Sequence, residues 1–288
     1  MRGRTVGNGA PGGGVLVRMT PIHTAQAVEI HDGLLIPYLE QGDRDGVPLV
    51  LLHGLTDSHR SYEPVLAALP DSIRAVAITA RGHGDAGKPE TGYDAASMAA
   101  DVIAVMDALG IGRAIVAGHS MGSWTARRIA AGYPERVLGV VLAGAFASFH
   151  DKPEISALLE EFDTLGDPID PAYAREWQDS TLARPVPETF MEMIVEETCK
   201  PPARVWQAAL QGLIDDRLEP AGSVTAPALL CWGQRDAFVP DADQERLLAR
   251  IPDVELRVYE GGGHALHWER PERFAADLAE FAATRIAA

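Results

Sequence analysis

Gly118-His119-Ser120-Met121-Gly122 sets a serine between two glycines, directly after the apolar run Ala114 to Ala117 and at the start of a helical pattern over Met121 to Gly132. A tight strand-to-helix turn strains the serine backbone and lifts its hydroxyl clear of a sheet. Glycines two residues to either side remove the side chains that would collide there. The helix N-terminus then aims free N–H groups at negative charge forming beside Ser120. A serine hydroxyl is a weak nucleophile and needs a base. His264 ends Glu260-Gly261-Gly262-Gly263-His264, whose glycines let a loop fold back toward a neighbouring strand end. His267 is a rival base without the glycine loop; His53, His83 and His119 are others, His53 in a strand-end turn and His119 at the variable position of the elbow. The base needs an acid to hold its tautomer and stabilise the imidazolium. Asp236, in Trp232-Gly233-Gln234-Arg235-Asp236, is the candidate. Its neighbours Asp241 and Asp243 read as the first turn of a helix, where acids are common. After Val137 to Leu142 the chain reads Ala143-Gly144-Ala145-Phe146, with no carboxylate. An oxyanion would be held by the backbone N–H of Met121 and by that of Leu55, in the loop His53-Gly54-Leu55-Thr56.

These residues need a sheet to carry them. Six short apolar runs follow an opening hairpin (Ala27 to Ile30 and Leu35 to Leu39, around Asp32-Gly33): Pro48 to Leu52, Arg74 to Ile78, Ala114 to Ala117, Val137 to Leu142, Ala228 to Trp232 and Val254 to Tyr259. Runs this apolar imply a mostly parallel sheet covered by helices on both faces. Helical patterns lie over Tyr93 to Leu109, Met121 to Gly132, Asp241 to Arg250 and Pro271 to Ile286. From Phe146 to Pro220 the rhythm changes. Four proline-punctuated helical patterns (Lys152 to Leu165, Pro171 to Leu182, Pro187 to Thr198, Pro201 to Asp215) predict a helical cap over a pocket, with Phe146, Trp177, Trp206 and His119 as candidate lining. The expected division is a flexible leader over 1–20, a core over 21–145 and 221–288, and the cap over 146–220. Met19 is a second candidate start.

Composition narrows the partners. The 288 residues carry 25 basic and 41 acidic side chains, a net charge of −16, which repels phosphate backbones and anionic membrane surfaces. Hydrophobic residues make up 47%, too many for a disordered chain. Two cysteines, Cys199 and Cys231, make no disulfide framework. No apolar run reaches the roughly 18 residues of a membrane helix, and glycines stand where a signal peptide needs an apolar stretch, so a cytoplasmic home is expected. No metal-ligand spacing such as His-x-His is present. Gly82-His83-Gly84-Asp85-Ala86-Gly87 fits a dinucleotide pattern, with Asp101 about twenty residues on. However, Lys88-Pro89-Glu90-Thr91-Gly92 reads as loop where that motif must open a helix, and the strand before it is not the first of the sheet.

At His53-Gly54, Arg81-Gly82-His83-Gly84, Gly118-His119-Ser120-Met121-Gly122, Asp236 and Gly263-His264 the sequence resembles the α/β-hydrolase family, over about residues 27 to 286. The resemblance implies a mostly parallel eight-stranded sheet with a cap after the sixth strand. It implies a triad of Ser120, Asp236 and His264 in that chain order, and no cofactor. Haloalkane dehalogenases and epoxide hydrolases of the family hold aspartate at the elbow, so Ser120 points away from them. The Ser120-Met121-Gly122 form looks most like small esterases, lactonases and haloperoxidase-like members. The expected activity is cleavage of small or medium carboxylic esters or lactones through an acyl-enzyme on Ser120, by a monomer or homodimer. Alternatives are a carbon–carbon bond hydrolase with the same triad and a hydrolase-fold receptor with little turnover.

Overall fold

The computed structural model describes residues 25–150, 152–216 and 224–286. The leader expected over 1–20 and the end of the cap stretch, 217–220, lie outside them. Eight strands form one sheet: β1 (Gln26–Glu29), β2 (Leu35–Gln41), β3 (Val47–Leu52), β4 (Ile73–Ile78), β5 (Ala114–His119), β6 (Val137–Ala143), β7 (Ala228–Gly233) and β8 (Val254–Tyr259). Their order is β1-β2-β4-β3-β5-β6-β7-β8. The pairs β1–β2 and β2–β4 are antiparallel and all others parallel. All eight runs read from the sequence are strands. The hairpin turns where Asp32 and Gly33 both take positive φ (58° and 74°), which aspartate and glycine tolerate best.

Alternation along the central strands feeds two cores. Val50, Leu52, Ala114 and Val116 face α2 (Ala95–Ala108), α3 (Met121–Gly132) and α8 (Asp241–Arg250), packing on Val102, Met106, Ile129 and Leu247. Leu49, Leu51, Ile115 and Ala117 face α1 (Glu63–Ala68) and α10 (Pro271–Phe281), packing on Val65, Leu66, Phe274 and Phe281. Side chains two apart on a strand share a face, so a run apolar at every position needs helices on both sides. Helix α2 starts two residues later than its pattern predicted. Asp94 caps it through the Ser97 N–H at 2.9 Å, while the Tyr93 hydroxyl turns back to the Pro89 carbonyl. Helix α10 gives way to a π-helical turn over Ala282–Ile286.

Between β6 and β7 the described residues form α4 (Pro153–Phe162), α5 (Pro171–Ser180), α6 (Glu188–Thr198) and α7 (Ala203–Asp215). Each matches an expected pattern within three residues at either end. The apolar faces of α4, α5 and α7 meet over the carboxyl end of the sheet in a third cluster that includes Phe146, Phe149, Phe162, Trp206, Leu210 and Leu213, while Met191, Met193 and Ile194 of α6 pack with Ala265 and Trp268. No helix among the described residues is long and apolar enough to cross a membrane.

The Gly82 motif is a turn. The Gly82 N–H bonds the Gly87 carbonyl at 2.8 Å, and the Lys88 ammonium donates to the Gly84 and Ala86 carbonyls at 2.7 and 3.2 Å. Asp101 accepts two bonds from Arg81, each 2.6 Å. Groups that would have to hold a nucleotide are thus committed to the fold.

Candidate active site

The elbow forms because its backbone leaves room for nothing but glycine. Ser120 sits at φ 51°, ψ −112°, outside the allowed helical and strand regions. A Cβ on Gly118 would collide with the Gly122 carbonyl, and one on Gly122 with the Leu52 and His53 carbonyls. The Ser120 N–H is held by the Ala143 carbonyl of β6 at 2.9 Å. The Ser120 carbonyl accepts from the Ser123 and Trp124 N–H groups and, at 2.6 Å, from the Ser123 hydroxyl. Strain in one residue is therefore over-determined by β3, β6 and the first turn of α3. Met121 opens the helix ahead of those two amides, at a position whose N–H has no intrahelical partner.

His264 follows β8 through a glycine loop. Gly261 has φ 65°, and a Cβ on Gly233 or Gly263 would clash with loop backbone. Its Nδ1 lies 2.8 Å from Asp236 Oδ2. The other Asp236 oxygen accepts from the Phe238 and Val239 N–H groups at 2.8 and 2.9 Å. Both carboxyl oxygens are thereby occupied on a side chain with no exposed surface. Gly144, at φ 53°, lets the imidazole pass the end of β6: a Cβ there would stand 3.0 Å from His264 Nδ1. Phe238 and Phe146 flank the ring, with centroids 5.1 and 6.0 Å away.

The rival histidines are placed elsewhere. His53 accepts the Ala80 N–H at 2.9 Å, and its other ring nitrogen lies 2.7 Å from the Gly54 carbonyl. His83 meets the Arg81 carbonyl, and burial lowers it to about 4. His267 is wholly buried against Tyr62 and His119, and burial lowers it to about 3. The His119 Nε2 lies 3.1 Å from the His264 carbonyl, so it carries the proton and donates; burial holds this ring neutral too. Of the rival acids, Asp243 is paired with Lys152 and Asp241 caps its own helix through the Ala242 N–H.

Three residues that the sequence reading did not single out complete the site. Thr56 has φ 72°, unusual for a β-branched residue, and its hydroxyl accepts from Trp177 Nε1 (3.1 Å) and Gln178 Nε2 (3.2 Å) of α5. Helix α5 thus grips the loop that carries Leu55. Asp57 lies wholly buried beside it. One oxygen accepts from Gln178 at 3.0 Å, and burial pushes the carboxyl up to about 7 against the hydrogen bonds and the His264 charge. The phenol of Tyr62 and the rings of His119 and His264 are its titratable neighbours. Glu269 ties the histidine loop to the chain after α5, accepting from Gly263, Ala183 and Arg184 N–H groups. Asp57 and Gln178 meet across 121 residues, a contact no local pattern announces.

Ser120, His264, Asp57, Gly54, Leu55 and His119 line one cavity. Phe146 and Trp177 line it as expected, joined by Phe149, Phe238 and Trp268. Trp206 does not. It is fully buried behind Trp177 and Phe162, with ring centroids 6.0 and 5.1 Å away, because the apolar face of α7 packs on the other cap helices. Among the described residues the lining holds no lysine or arginine. Among the described residues no group of three or more His, Cys, Asp or Glu side chains could hold a metal ion. A serine at a helix N-terminus and an imidazole oriented by a buried carboxylate therefore share a largely apolar chamber, an arrangement suited to acyl transfer.

The family model of the alpha/beta hydrolase fold matches residues 47–271. A 2-(acetamidomethylene)succinate hydrolase of Mesorhizobium japonicum is 29% identical over 78% of this chain and 84% of its own. A non-heme chloroperoxidase of Streptomyces lividans is 29% identical over 88% of this chain and 98% of its own. Among solved structures, an esterase from Exiguobacterium antarcticum superposes with a TM-score of 0.81, at 23% identity, over 91% of this chain and 100% of that one.

Proposed function

The chain belongs to the alpha/beta hydrolase fold family, and on that premise we propose that it is a serine hydrolase of small or medium uncharged carboxylic esters or lactones. The Ser120 hydroxyl attacks the carbonyl carbon while His264 takes its proton. The oxyanion rests on the Leu55 and Met121 amides. The C–O bond then breaks and the leaving alcohol takes the proton from His264. Water, deprotonated by His264, attacks the acyl-enzyme, and the proton returns to Ser120 as the acid departs. Asp236 stays ionised throughout.

The observation that carries this reading is the wall of the cavity. It joins Ser120 and His264 to aromatic side chains and, among the described residues, includes no lysine or arginine. The relative named for a succinate derivative acts on a substrate whose carboxylates would call for cationic partners; so would the dienoate of a carbon–carbon hydrolase. Burying such charge unpaired is costly, so this lining favours neutral acyl groups over both.

The test is hydrolysis of a p-nitrophenyl ester series from acetyl to dodecanoyl, beside a lactone panel, by wild type and Ser120→Ala. The short and middle members should turn over, and Ser120→Ala should lose about a millionfold in kcat or fall below detection. Turnover that survives Ser120→Ala overturns the mechanism, and no turnover of any member turns the reading toward a receptor.

A further inference from the structure

Asp57 is a carboxyl that the fold does not require. The residue is 2% exposed, and its Oδ1 accepts one bond from Gln178, which an asparagine carbonyl would do as well. Among the described residues no lysine or arginine compensates it; the charge that bears on it is that of His264. The Gly54 backbone N–H also faces the carboxyl, and a Cβ at Gly54 would stand 3.1 Å from Oδ2. That oxygen is therefore beside the loop whose Leu55 amide would hold the oxyanion. Gln178 and Asp57 are neighbours in a wall otherwise dominated by Phe146, Trp177 and Phe238. A buried acceptor in such a chamber is best satisfied by a donor that the ligand brings, and it penalises a ligand without one.

We infer that Asp57 is a specificity-determining residue: held by Gln178, it accepts a hydrogen bond from an O–H or N–H group that the substrate carries close to the scissile carbonyl. The inference deepens the ester-hydrolase reading and rests on it for the word substrate, but the recognition itself can be read without turnover. Replacing Asp57 with asparagine keeps an oxygen for Gln178 and turns an amide N–H₂ toward the ligand, donor against donor. Asp57→Leu removes the polar group altogether.

The probes are methyl 3-phenylpropanoate and its 3-hydroxy and 3-amino counterparts, which separate a plain ester, a neutral donor and a cation. Binding is measured by quenching of the cavity tryptophans, Trp177 and Trp268, in Ser120→Ala, where esters stay intact, and in the same background with Asp57→Asn or Asp57→Leu. At least one donor-bearing ester should bind Ser120→Ala about tenfold more tightly than the plain ester, the worth of one net hydrogen bond. Each Asp57 change should erase that preference, Asp57→Asn by weakening the donor-bearing esters and Asp57→Leu also by tightening the plain ester, with melting curves reporting that the variants fold. A preference that survives Asp57→Asn overturns the assignment. So does equal or absent binding of all three esters to Ser120→Ala. Wild-type turnover of the same esters, run alongside, reports on the hydrolase reading separately: discrimination without turnover keeps Asp57 and removes that reading, and turnover without discrimination does the reverse.

Discussion

A carboxyl sealed inside a protein loses the hydration that stabilises its charge, and Asp57 stands at about 7 for that reason. In the unfolded chain the same group titrates near 3.8. Between those two values the folded state holds a proton that the unfolded state has released, so this group makes stability fall as pH rises from about 4 to about 7. The full cost, a few kcal/mol, is present above that window. Asp57→Asn removes the ionisation and leaves the Gln178 bond. Urea unfolding at pH 4 and pH 8 should show the variant gaining on wild type at pH 8 far more than at pH 4. An offset of the same size at both would mean that Asp57 is not held near 7. Asp236, by contrast, has both oxygens occupied by an imidazole and two amides.

The elbow is an element-scale device, since three strands and a helix turn must agree before Ser120 can hold its positive φ. Two glycines of α3 give a matched comparison. A methyl group on Gly122 runs into the Leu52 and His53 carbonyls at the end of β3, whereas one on Gly132 meets nothing within 4 Å. Gly122→Ala should cost about 1–3 kcal/mol or more and displace the serine, abolishing any activity that depends on it. Gly132→Ala should be neutral or stabilising by up to roughly 1 kcal/mol, because alanine loses less backbone entropy in a helix. Melting temperatures and ester turnover of the two variants check this. Equal effects would mean that the close approach of α3 to β3 is not what demands glycine. The same scale shows why α5 matters: its Trp177 and Gln178 hold Thr56 in a strained turn, so this helix bears directly on the loop proposed to hold the oxyanion.

Across the whole molecule, histidines are buried neutral in unusual number. Burial lowers His53 and His119 well below 6.5, His83 to about 4 and His267 to about 3. Unfolding lets each bind a proton near its ordinary value. Their contribution is therefore fully present above about pH 6.5 and is lost as pH falls toward the folded values, at up to about 1.4 kcal/mol per pH unit for each. Asp57 offsets one of the four in this range. Denaturation midpoints should drop steeply between pH 6.5 and 4, and a His267→Phe variant should drop less steeply than wild type. A flat profile would contradict neutral burial.

By itself the sequence determined the sheet, the elbow and the pairing of Asp236 with His264, because the forces that set them act locally. Alternation of apolar residues fills two cores, Gly118 relieves a contact with Gly122 in the same turn, and consecutive strand ends bring their loops together. It also announced four helices between β6 and β7. Only the tertiary structure decided which faces of those helices look into the cavity. Trp177 and Trp206 both sit on helices between β6 and β7, yet Trp177 reaches Thr56 while Trp206 fills the space behind it. Asp57 reads in the sequence as a polar turn residue, and Glu269 as one acid in a helix. Their partners, Gln178 and the amides of Ala183 and Gly263, come from parts of the chain joined by packing alone. Side-chain periodicity shows that a face is apolar; what that face meets depends on how separate elements share the space above one sheet.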